Sequence, residues 1–394
     1  MGRTCVIVVE NLPVPFDRRV WQEATALRDA GWIVTVICPL TQAYPSRDEV
    51  IDDIQIYRHP LPLEASGAGG FLLEYGAALF WEFRLLIKAA RGRGFDVIHA
   101  CNPPDLIFLA ALPFKLLGKR FVFDHHDICP ELYEAKFGKR GFFHALLVLF
   151  ERLTFRMADL VISSNATFQQ LAIDRGGKDP GKTVAVYSVP DSSRLRRVDP
   201  EPALRMGKRH LVGYVGIIGD QDGLDHFLRA VAALRDRHGR DDFHAVVVGD
   251  GPALAQIRAL ATQLGLDDLV TFTGYRIGDD LLRALSTFDI GVIPDPMNDY
   301  NDRISMNKVF EYSAFGVPTV AYPLTETRRL LGDVGTFAEG SEPDDLADGI
   351  VRLLDDDALR SERAAAALNL AEARFSWAWE KEKLVAAYDR LLPP

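Results

Sequence analysis

The sequence lacks any apolar run as long as the roughly 18 residues that a membrane-spanning helix needs. The most apolar stretch, DLIFLAALPFKLLG from Asp105, is interrupted by Pro113 and Lys115. The first residues, MGRTCVIVVE, lead directly into a strand-like segment, so we expect no secretory signal. These features argue against an integral membrane protein and predict a cytoplasmic one.

Cysteine and excess basic charge are both scarce. Four cysteines occur in 394 residues, without a C-x-x-C pair or metal-ligand spacing, which favours a reducing compartment. The formal net charge is −10, whereas nucleic-acid binding needs a concentrated basic face, so we expect no nucleic-acid partner. The acidic excess lies in residues 199–394, with 33 Asp and Glu against 21 Lys and Arg.

Short β-branched runs alternate with helical stretches along the chain, from CVIVVE at Cys5 to PTVAYP at Pro318. Such strands, buried on both faces, predict parallel sheets in a doubly wound α/β fold. Residues 189–210 contain three prolines and no strand pattern. We therefore predict Rossmann-like domains over residues 1–195 and 205–375, followed by a C-terminal helix over 376–394.

Two polar clusters of the first half follow strands, where ligands of α/β sheets bind. Asp17, Arg18 and Arg19 stand at a helix start, where N–H groups and guanidinium groups favour an anion, although a capped helix with surface arginines explains them equally. HACNPPDL contains His99, Asn102 and Asp105, and its prolines are also common punctuation at a helix start.

The third cluster lies in FVFDHHDICPELY, which contains Asp124, His125, His126, Asp127 and Glu131. Five titratable groups after a strand are costly to bury unless they bind something or pair with one another, so we favour a functional site. Zinc ligation by the two histidines and Asp127 is disfavoured, because adjacent residues of an extended chain point apart.

In the second half, GYVGIIGDQDG contains Gly213, Gly216 and Gly219. This spacing differs from the G-x-G-x-x-G fingerprint, which disfavours a dehydrogenase, but a glycine turn before a helix lets a diphosphate approach. Asp220 and Asp222 would repel phosphate, so a cation must compensate. A second turn, VGDGP, makes Asp250 a weaker candidate.

That cation is a candidate in ISMNKVFEYSAFGVP, where Lys308 and Glu311 lie one helical turn apart. An ordinary surface ion pair would have the same spacing. A lysine in the first turns of a helix opposes the helix dipole, which instead suggests an anionic ligand.

Taken in order, PFDRRVWQEA, FDVIHACNPPD, FDHHDICPELY, GYVGIIGDQDG, VVVGDGP and MNKVFEYSAFGVPTVAYPLTETR resemble the GT-B glycosyltransferases of the family-4 type over nearly the whole chain. The resemblance implies two Rossmann-like domains facing across a cleft, with the C-terminal helix packing back toward the first. It also implies retaining sugar transfer from a nucleotide diphosphate donor, most often a uridine one, to a glycan, lipid-linked or small-molecule acceptor, in polysaccharide or glycoconjugate synthesis. No protein-bound metal or other cofactor is implied.

The resemblance also implies roles for individual residues. Glu311 would bind the donor ribose, Lys308 and the turn from Gly216 to Gly219 would bind the diphosphate, and Glu326 would lie near the donor. His126 would line the transferred sugar, with Asp127 beside it.

Three departures from the family pattern change this assignment. IIGDQDG lacks the usual Arg and Lys, which leaves the phosphate charge to Lys308 and to Arg18, Arg19 or Arg303. The position eight before Glu311 is Arg303 instead of glutamate, so Asp302 or Asp299 replaces that acidic group or it is absent. VPDSS replaces the usual Pro-Asn-Gly near the linker.

Three alternatives stay open at this point. Two of them concern function, because a nucleotide-sugar epimerase or a non-catalytic nucleotide-sugar-binding module would have the same fold.

The third concerns the membrane. Basic residues lie beside aromatic helices in two segments, GGFLLEYGAALFWEFRLLIKAARGRG and KFGKRGFFHALLVLFERLTFR, as in peripheral proteins at the inner face of a membrane. Core helices with solvated basic ends would also have this pattern.

Overall fold

The structure, a computed structural model, describes residues 2–60, 68–191 and 195–393. It divides into two compact units. Unit 1 comprises Met1–Ser188 and Ala378–Pro394, and unit 2 comprises Val189–Trp377. The chain thus leaves unit 1 near the start of the predicted linker, of which residues 192–194 lie outside the described residues.

Among the described residues of unit 1, eight strands form one sheet in the order β3-β4-β2-β1-β5-β6-β7-β8. Neighbouring strands are parallel except β3 and β4. The strands are β1 (Thr4–Val8), β2 (Ile33–Leu40), β3 (Asp48–Ile51), β4 (Ile54–Pro60), β5 (Val97–Cys101), β6 (Arg120–His125), β7 (Leu160–Ser163) and β8 (Thr183–Ala185).

Helices connect these strands and cover the sheet. α1 begins where the carboxylate of Asp17 accepts a hydrogen bond from the Val20 amide, and its buried face includes Val20, Ala24 and Leu27, at the spacing of an amphipathic helix. The helices are α1 (Arg18–Asp29), α2 (Ala68–Arg91), α3 (Phe108–Leu116), α4 (Cys129–Phe137), α5 (Phe142–Met157) and α6 (Ala166–Asp174).

Unit 2 has an all-parallel sheet of six strands among the residues described, in the order β11-β10-β9-β12-β13-β14. Its strands are β9 (His210–Val215), β10 (Phe243–Val248), β11 (Val270–Gly274), β12 (Ile290–Ile293), β13 (Thr319–Ala321) and β14 (Thr336–Phe337). Its helices are α7 (Leu224–Asp236), α8 (Leu254–Gln263), α9 (Gly278–Thr287), α10 (Asn307–Ala314), α11 (Thr325–Leu331), α12 (Pro343–Asp355) and α13 (Asp357–Arg374). The predicted fold class, two α/β domains with parallel sheets, is confirmed.

The strand order marks one switch point in each sheet. In unit 1 the chain runs from β1 outward on one side and returns on the other side at β5; in unit 2, β9 lies between β10 and β12 in the same way. Loops that leave the carboxyl ends of such strand pairs diverge and open a crevice, which is where doubly wound sheets bind ligands.

The last helix, α14 (Trp377–Leu391), packs on unit 1. The ring of Tyr388 lies edge-on to Trp32 with their centroids 5.1 Å apart, and the Tyr187 amide donates to Glu380 Oε2 over 2.9 Å. Tyr388 is fully buried, so this helix contributes a side chain to the interior of unit 1.

Candidate active site

A buried ion pair lies beneath the carboxyl end of the unit 1 sheet. Asp124, near the end of β6, accepts two hydrogen bonds from Arg19. Nη2 donates to Oδ1 over 2.7 Å, and Nε donates to Oδ2 over 3.3 Å. Arg19 also donates to the Val186 carbonyl over 2.6 Å. Although burial raises the pKa of Asp124, the Arg19 charge and several hydrogen bonds hold it well below its usual range. The carboxyl group therefore stays ionised and accepts hydrogen bonds.

Two histidines share Asp124 Oδ2. His126 Nε2 forms a short hydrogen bond with this oxygen, and His99 Nε2 lies 3.2 Å from it. The second nitrogen of His99, Nδ1, lies 2.6 Å from the hydroxyl of Tyr388. Burial lowers the pKa of His99, so its ring is neutral and bonds through both nitrogens.

Glu23 is buried one helical turn after Arg19 on α1. Arg19 Nη2 lies 3.1 Å from Glu23 Oε1, and His99 Nε2 lies 3.5 Å from Glu23 Oε2. Burial raises the pKa of Glu23 well above its usual range, against the opposing charge of Arg19. Glu23 therefore ionises less readily than an ordinary carboxyl group, whereas Asp124 ionises more readily and is the main anionic partner of Arg19.

Asn102, which follows β5, holds the loop that contains His126 and Asp127. Its Oδ1 accepts hydrogen bonds from the backbone amides of His126, over 2.7 Å, and Asp127, over 3.2 Å. Its Nδ2 donates to the Asp127 carbonyl over 2.7 Å and to Asp105 Oδ1 over 2.9 Å. The side-chain amide thus fixes the backbone of both residues.

His125 lies on a different side of the β6 end from His126. Its ring packs among Phe123, Phe155 and Phe168, with centroids 5.1 to 5.4 Å away. Burial lowers the pKa of His125 to about 3, so it is a neutral core residue. The two adjacent histidines therefore do not converge on one ion, as the sequence predicted for an extended chain.

In unit 2, Lys308 lies in the first turn of α10 and is 7% exposed. Its Nζ lies 3.2 Å from Asp295 Oδ2, just past β12, and 4.8 Å from the ring centroid of Tyr214 on β9. Although burial lowers the pKa of Lys308, the Asp295 carboxylate raises it, so the amine keeps its proton. Lys308 is thus a buried cation at the switch point between β9 and β12, not half of a surface pair.

The glycine turn after β9 is held by the Asp222 side chain and by close backbone packing. The Gly219 amide donates to Asp222 Oδ2 over 2.8 Å, so Asp222 closes the turn. A Cβ on Gly249, whose φ is +157°, would lie 1.9 Å from the Gly216 carbonyl oxygen, and one on Gly251 would meet Ile218. Gly249 and Gly251 let the two loops pack backbone against backbone, which brings the turn close to β10.

Most of the other predicted residues of unit 2 lie around α10 and α11, whereas Asp250 follows β10. Glu326 is fully buried and accepts a hydrogen bond from Ser305 Oγ over 3.3 Å. Asp302 Oδ1 accepts one from the Thr325 amide over 2.7 Å, so it holds the start of α11. Glu311 and Arg303 are partly exposed, and Asp250 is exposed, its carboxylate accepting a hydrogen bond from the Gly251 amide.

Two family models match the chain, one in each unit. The model described as "Glycosyl transferase 4-like domain" matches residues 17–188, and that described as "Glycosyl transferases group 1" matches residues 209–356. The solved structure of sucrose-phosphate synthase from Thermosynechococcus elongatus is similar over 99% of both chains, with a TM-score of 0.79 and 18% identity. The chain belongs to the GT-B glycosyltransferases of the family-4 type.

Curated relatives of this glycosyltransferase include enzymes with different acceptors in their names. It is 27% identical to 2-deoxystreptamine glucosyltransferase from Streptomyces kanamyceticus, over 81% of this chain and 85% of that one. It is 31% identical to D-inositol 3-phosphate glycosyltransferase from Corynebacterium jeikeium (strain K411), over 54% of this chain and 53% of the relative. The match thus spans about half the length of that relative.

Among solved structures, Anabaena Alr3699/HepE in complex with UDP-glucose is also similar to the glycosyltransferase. The TM-score is 0.73 at 18% identity, over 99% of this chain and 100% of that one. At such identity the likeness shows the fold, here the GT-B fold.

Within the glycosyltransferase, the structure brings some predicted residues together and separates others. Arg19, His99 and His126 converge on Asp124, and Asn102 joins Asp105 and Asp127. Arg18 is exposed, and the Asp17 carboxylate caps α1. Their role in binding an anion stays a prediction.

The sequence did not single out Glu23, Tyr388, Tyr214 or Asp295. Glu23 could have been found as a carboxylate on the buried stripe of α1, between Val20 and Leu27. Asp295 could have been found in IPDP, directly after an apolar strand. Nothing in the sequence around Tyr388 distinguishes it from a core tyrosine.

Proposed function

We propose that this enzyme is a retaining hexosyltransferase that moves a sugar from a nucleotide diphosphate donor, a UDP-sugar, to a hydroxyl group of an acceptor. The observation that carries the proposal is the buried Lys308 ammonium at the switch point of the unit 2 sheet, near enough to Asp222 of the glycine turn to interact with its charge. Breaking the bond to the anomeric carbon places negative charge on the diphosphate, and a fixed cation stabilises that charge.

Asp295 gives this cation its position. Burial raises the pKa of Asp295 to about 6, against the opposing charge of Lys308, so the carboxyl group is ionised near neutral pH and holds the ammonium in place. The face of Tyr214 holds it from another side. A cation fixed before the substrate arrives needs no reorganisation during the reaction, which is the property that electrostatic stabilisation requires.

For unit 1 we propose that His126 and Asp127 contact the transferred sugar and the acceptor. Their backbone is fixed by Asn102, and the His126 ring is fixed by Asp124. Front-face attack, in which the leaving phosphate takes the acceptor proton, is the retaining route for such a site, since it needs no carboxylate nucleophile.

We expect catalysis without a protein-bound metal or other cofactor. Glu23, Asp124 and His126 have ligand atoms within 4.8 Å of one another, the separation that a metal site requires. The guanidinium of Arg19 already bonds to Asp124 and lies against Glu23, however, so the positive charge that this cluster needs is supplied by the chain itself.

The uridine donor and the hexose are supported by what similar proteins bind and by their names. The Anabaena structure contains UDP-glucose, and the Streptomyces kanamyceticus relative is named a glucosyltransferase. The acceptor of this chain is proposed only as a hydroxyl group of a glycan, a lipid-linked sugar or a small molecule.

A transfer assay over a panel of UDP-, GDP- and ADP-sugars tests the proposal, with mixed glycan and small-molecule hydroxyl acceptors. We expect release of UDP together with a product whose anomeric proton coupling matches that of the donor. Release of an altered nucleotide sugar without an acceptor would instead identify an epimerase. Donor binding without hydrolysis or transfer would identify a binding module, and both outcomes contradict the proposal.

We further propose that unit 1 docks on an anionic membrane surface, on the cytoplasmic side. None of the described helices has the length and apolar character needed to cross a bilayer. The segment from α4 into α5 nevertheless exposes three aromatic rings, Phe137 (53%), Phe142 (76%) and Phe143 (44%), close to exposed Lys139 and Arg140. Aromatic rings beside cations are typical of interfacial binding.

Co-sedimentation with vesicles tests this docking. We expect binding to vesicles that contain phosphatidylglycerol and loss of binding in the double variant Phe142→Asp, Phe143→Asp. The control is Tyr275→Asp, Ile277→Asp, which alters two residues of unit 2 that are similarly exposed. Binding that is insensitive to anionic lipid, or equal loss in both variants, would contradict the proposal. The other predicted segment lies on α2, where side chains before residue 76 lie outside the described residues.

A further inference from the structure

A chain of hydrogen bonds joins His126 to the C-terminal helix. The Tyr388 hydroxyl lies 2.6 Å from His99 Nδ1, His99 Nε2 lies 3.2 Å from Asp124 Oδ2, and the same oxygen bonds to His126 Nε2. Tyr388, His99 and Asp124 are fully buried, whereas the His126 side chain is 15% exposed. This series of hydrogen bonds therefore leads from the core of unit 1 to His126, its one partly exposed member.

The direction of each hydrogen bond in this chain follows from Asp124. An ionised carboxylate only accepts, so both histidines donate Nε2–H to it. Neutral His99 then has a lone pair on Nδ1, which must accept from the Tyr388 hydroxyl. Burial raises the pKa of Tyr388 well above its usual range, so the hydroxyl keeps the proton that it donates.

We infer that Tyr388 is a positioning residue for His126: its hydroxyl anchors Nδ1 of the His99 ring, and the anchored ring together with Arg19 holds the Asp124 carboxylate and hence the orientation of the His126 ring. The inference rests on the proposed function, which gives His126 its role at the transferred sugar. It also gives the C-terminal helix, 251 to 265 positions away from His126 in sequence, a specific part in the site.

Tyr388→Phe is the informative substitution because it removes the hydroxyl and keeps the ring against Trp32. His99 Nδ1 would then be buried without its donor, so the His99 ring would lose one of two anchors. The carboxylate of Asp124 would keep its hydrogen bonds from Arg19, but the position of its second donor, His99, would no longer be fixed. His126 would consequently sample more than one orientation.

A double-mutant cycle on transfer tests whether Tyr388 acts through His126. We expect Tyr388→Phe to lower kcat about tenfold, with the donor KM within about twofold of its original value, since small misplacement of a reacting group is costly. In a His126→Ala background, the same substitution should change kcat by less than about twofold. Equal loss in both backgrounds, or no loss in the native background, would overturn the inference.

Tyr322→Phe is the matched control. The Tyr322 hydroxyl lies 2.9 Å from His226 Nδ1 in unit 2, so this variant removes a partly buried tyrosine-to-histidine bond from a fully buried tyrosine. Any loss of kcat that it causes should be the same with and without His126→Ala. A cycle that is non-additive for Tyr322 as well would reflect general destabilisation and would overturn the inference.

Nitrogen-15 NMR of the His126 ring supplies a readout that needs no turnover. We expect the same ring nitrogen shifts, with Nε2 donating to Asp124, in the native protein and in Tyr322→Phe, and shifted or broadened ring signals in Tyr388→Phe. An unchanged spectrum in Tyr388→Phe would overturn the inference. If no donor supports transfer, the proposed function fails, and the NMR result alone decides whether Tyr388 positions His126.

Discussion

Unit 1 and unit 2 both hold charged side chains at the carboxyl ends of parallel strands, but they hold them differently. In unit 1, Arg19, His99 and His126 all donate hydrogen bonds to one carboxylate, Asp124, which sets the nitrogen atom through which each histidine donates. In unit 2, Lys308 is held by one carboxylate and the face of one ring, beside a turn made of backbone.

The difference matches the two tasks that sugar transfer requires. Orienting a sugar and an acceptor demands a fixed ring and a fixed tautomer, which a network of short hydrogen bonds provides. Binding a diphosphate demands positive potential and close backbone approach, for which one ammonium and a glycine turn suffice. The comparison predicts that substitutions in unit 2 act on phosphate charge, and those in unit 1 act on orientation.

The largest effect is expected from Lys308→Ala. Turnover should fall roughly 10²-fold or more, because the substitution removes the cation that we propose stabilises the departing diphosphate. Steady-state kinetics with a UDP-sugar measure the loss. Lys208→Ala, which removes a half-buried lysine of the same unit whose ammonium donates to the Asp241 carbonyl, is the control and should leave turnover unchanged. Unchanged donor turnover in Lys308→Ala would remove the phosphate role of this residue.

A smaller effect is expected from Asn102→Ala in unit 1. The substitution frees the amides of His126 and Asp127, so kcat should fall about tenfold while the donor KM changes little. Asn165→Ala is the control, because it removes another buried asparagine that bonds to backbone, at the start of α6. If both variants lose the same activity, the loss reflects stability, and the orienting role of Asn102 is wrong.

The smallest effect on activity is expected from Glu82→Gln. This substitution measures how much a buried carboxyl group without hydrogen-bond partners lowers the free energy of unfolding. Neither carboxyl oxygen of Glu82 has a hydrogen-bond partner among the described residues, and burial raises its pKa to about 8 from 4.5. The folded state therefore keeps a proton that the unfolded state releases, so the free energy of unfolding decreases as pH rises through this window.

Denaturant titrations at pH 5 to 9 measure this effect against Glu82→Gln. The variant should gain stability relative to the native protein by about 1.4 kcal/mol per pH unit within the window, while transfer activity stays the same. Glu151 and Asp105, whose pKa values burial also raises, to about 8 and about 7, are present in both proteins and cancel in the difference. A constant difference at every pH would contradict a raised pKa of Glu82.

Much of the fold was predictable because the strands are buried on both faces and so form apolar runs that stand out in sequence. The run FHAVVV, for example, is β10. Residues 189–210, with three prolines and no strand pattern, were predicted to separate the domains, and the first compact unit ends its first segment at Ser188. Lys308 was recognisable because it is a cation that opposes its own helix dipole. Its actual partner, Asp295, was not, since the contact depends on how α10 packs on β12.

The site of unit 1 was predictable in composition but not in geometry. Strand alternation correctly predicted that His125 and His126 would not converge, but it could not show which partner each would find. Arg19 was taken as a phosphate-binding candidate at a helix start, and it proves to be buried against Asp124, 105 positions away. Tyr388 lies 289 positions from His99, a separation that local pattern does not address.

The central claim is that the Lys308 ammonium binds the diphosphate of the donor, and calorimetric binding of UDP and of uridine tests it most directly. The variant to compare is Asp295→Asn, Lys308→Met, which removes the cation without leaving its buried carboxylate unpaired. The account predicts that the native protein binds UDP far more tightly than uridine and that this preference collapses in the double variant, with uridine binding retained. An equal preference for UDP in both proteins would contradict it.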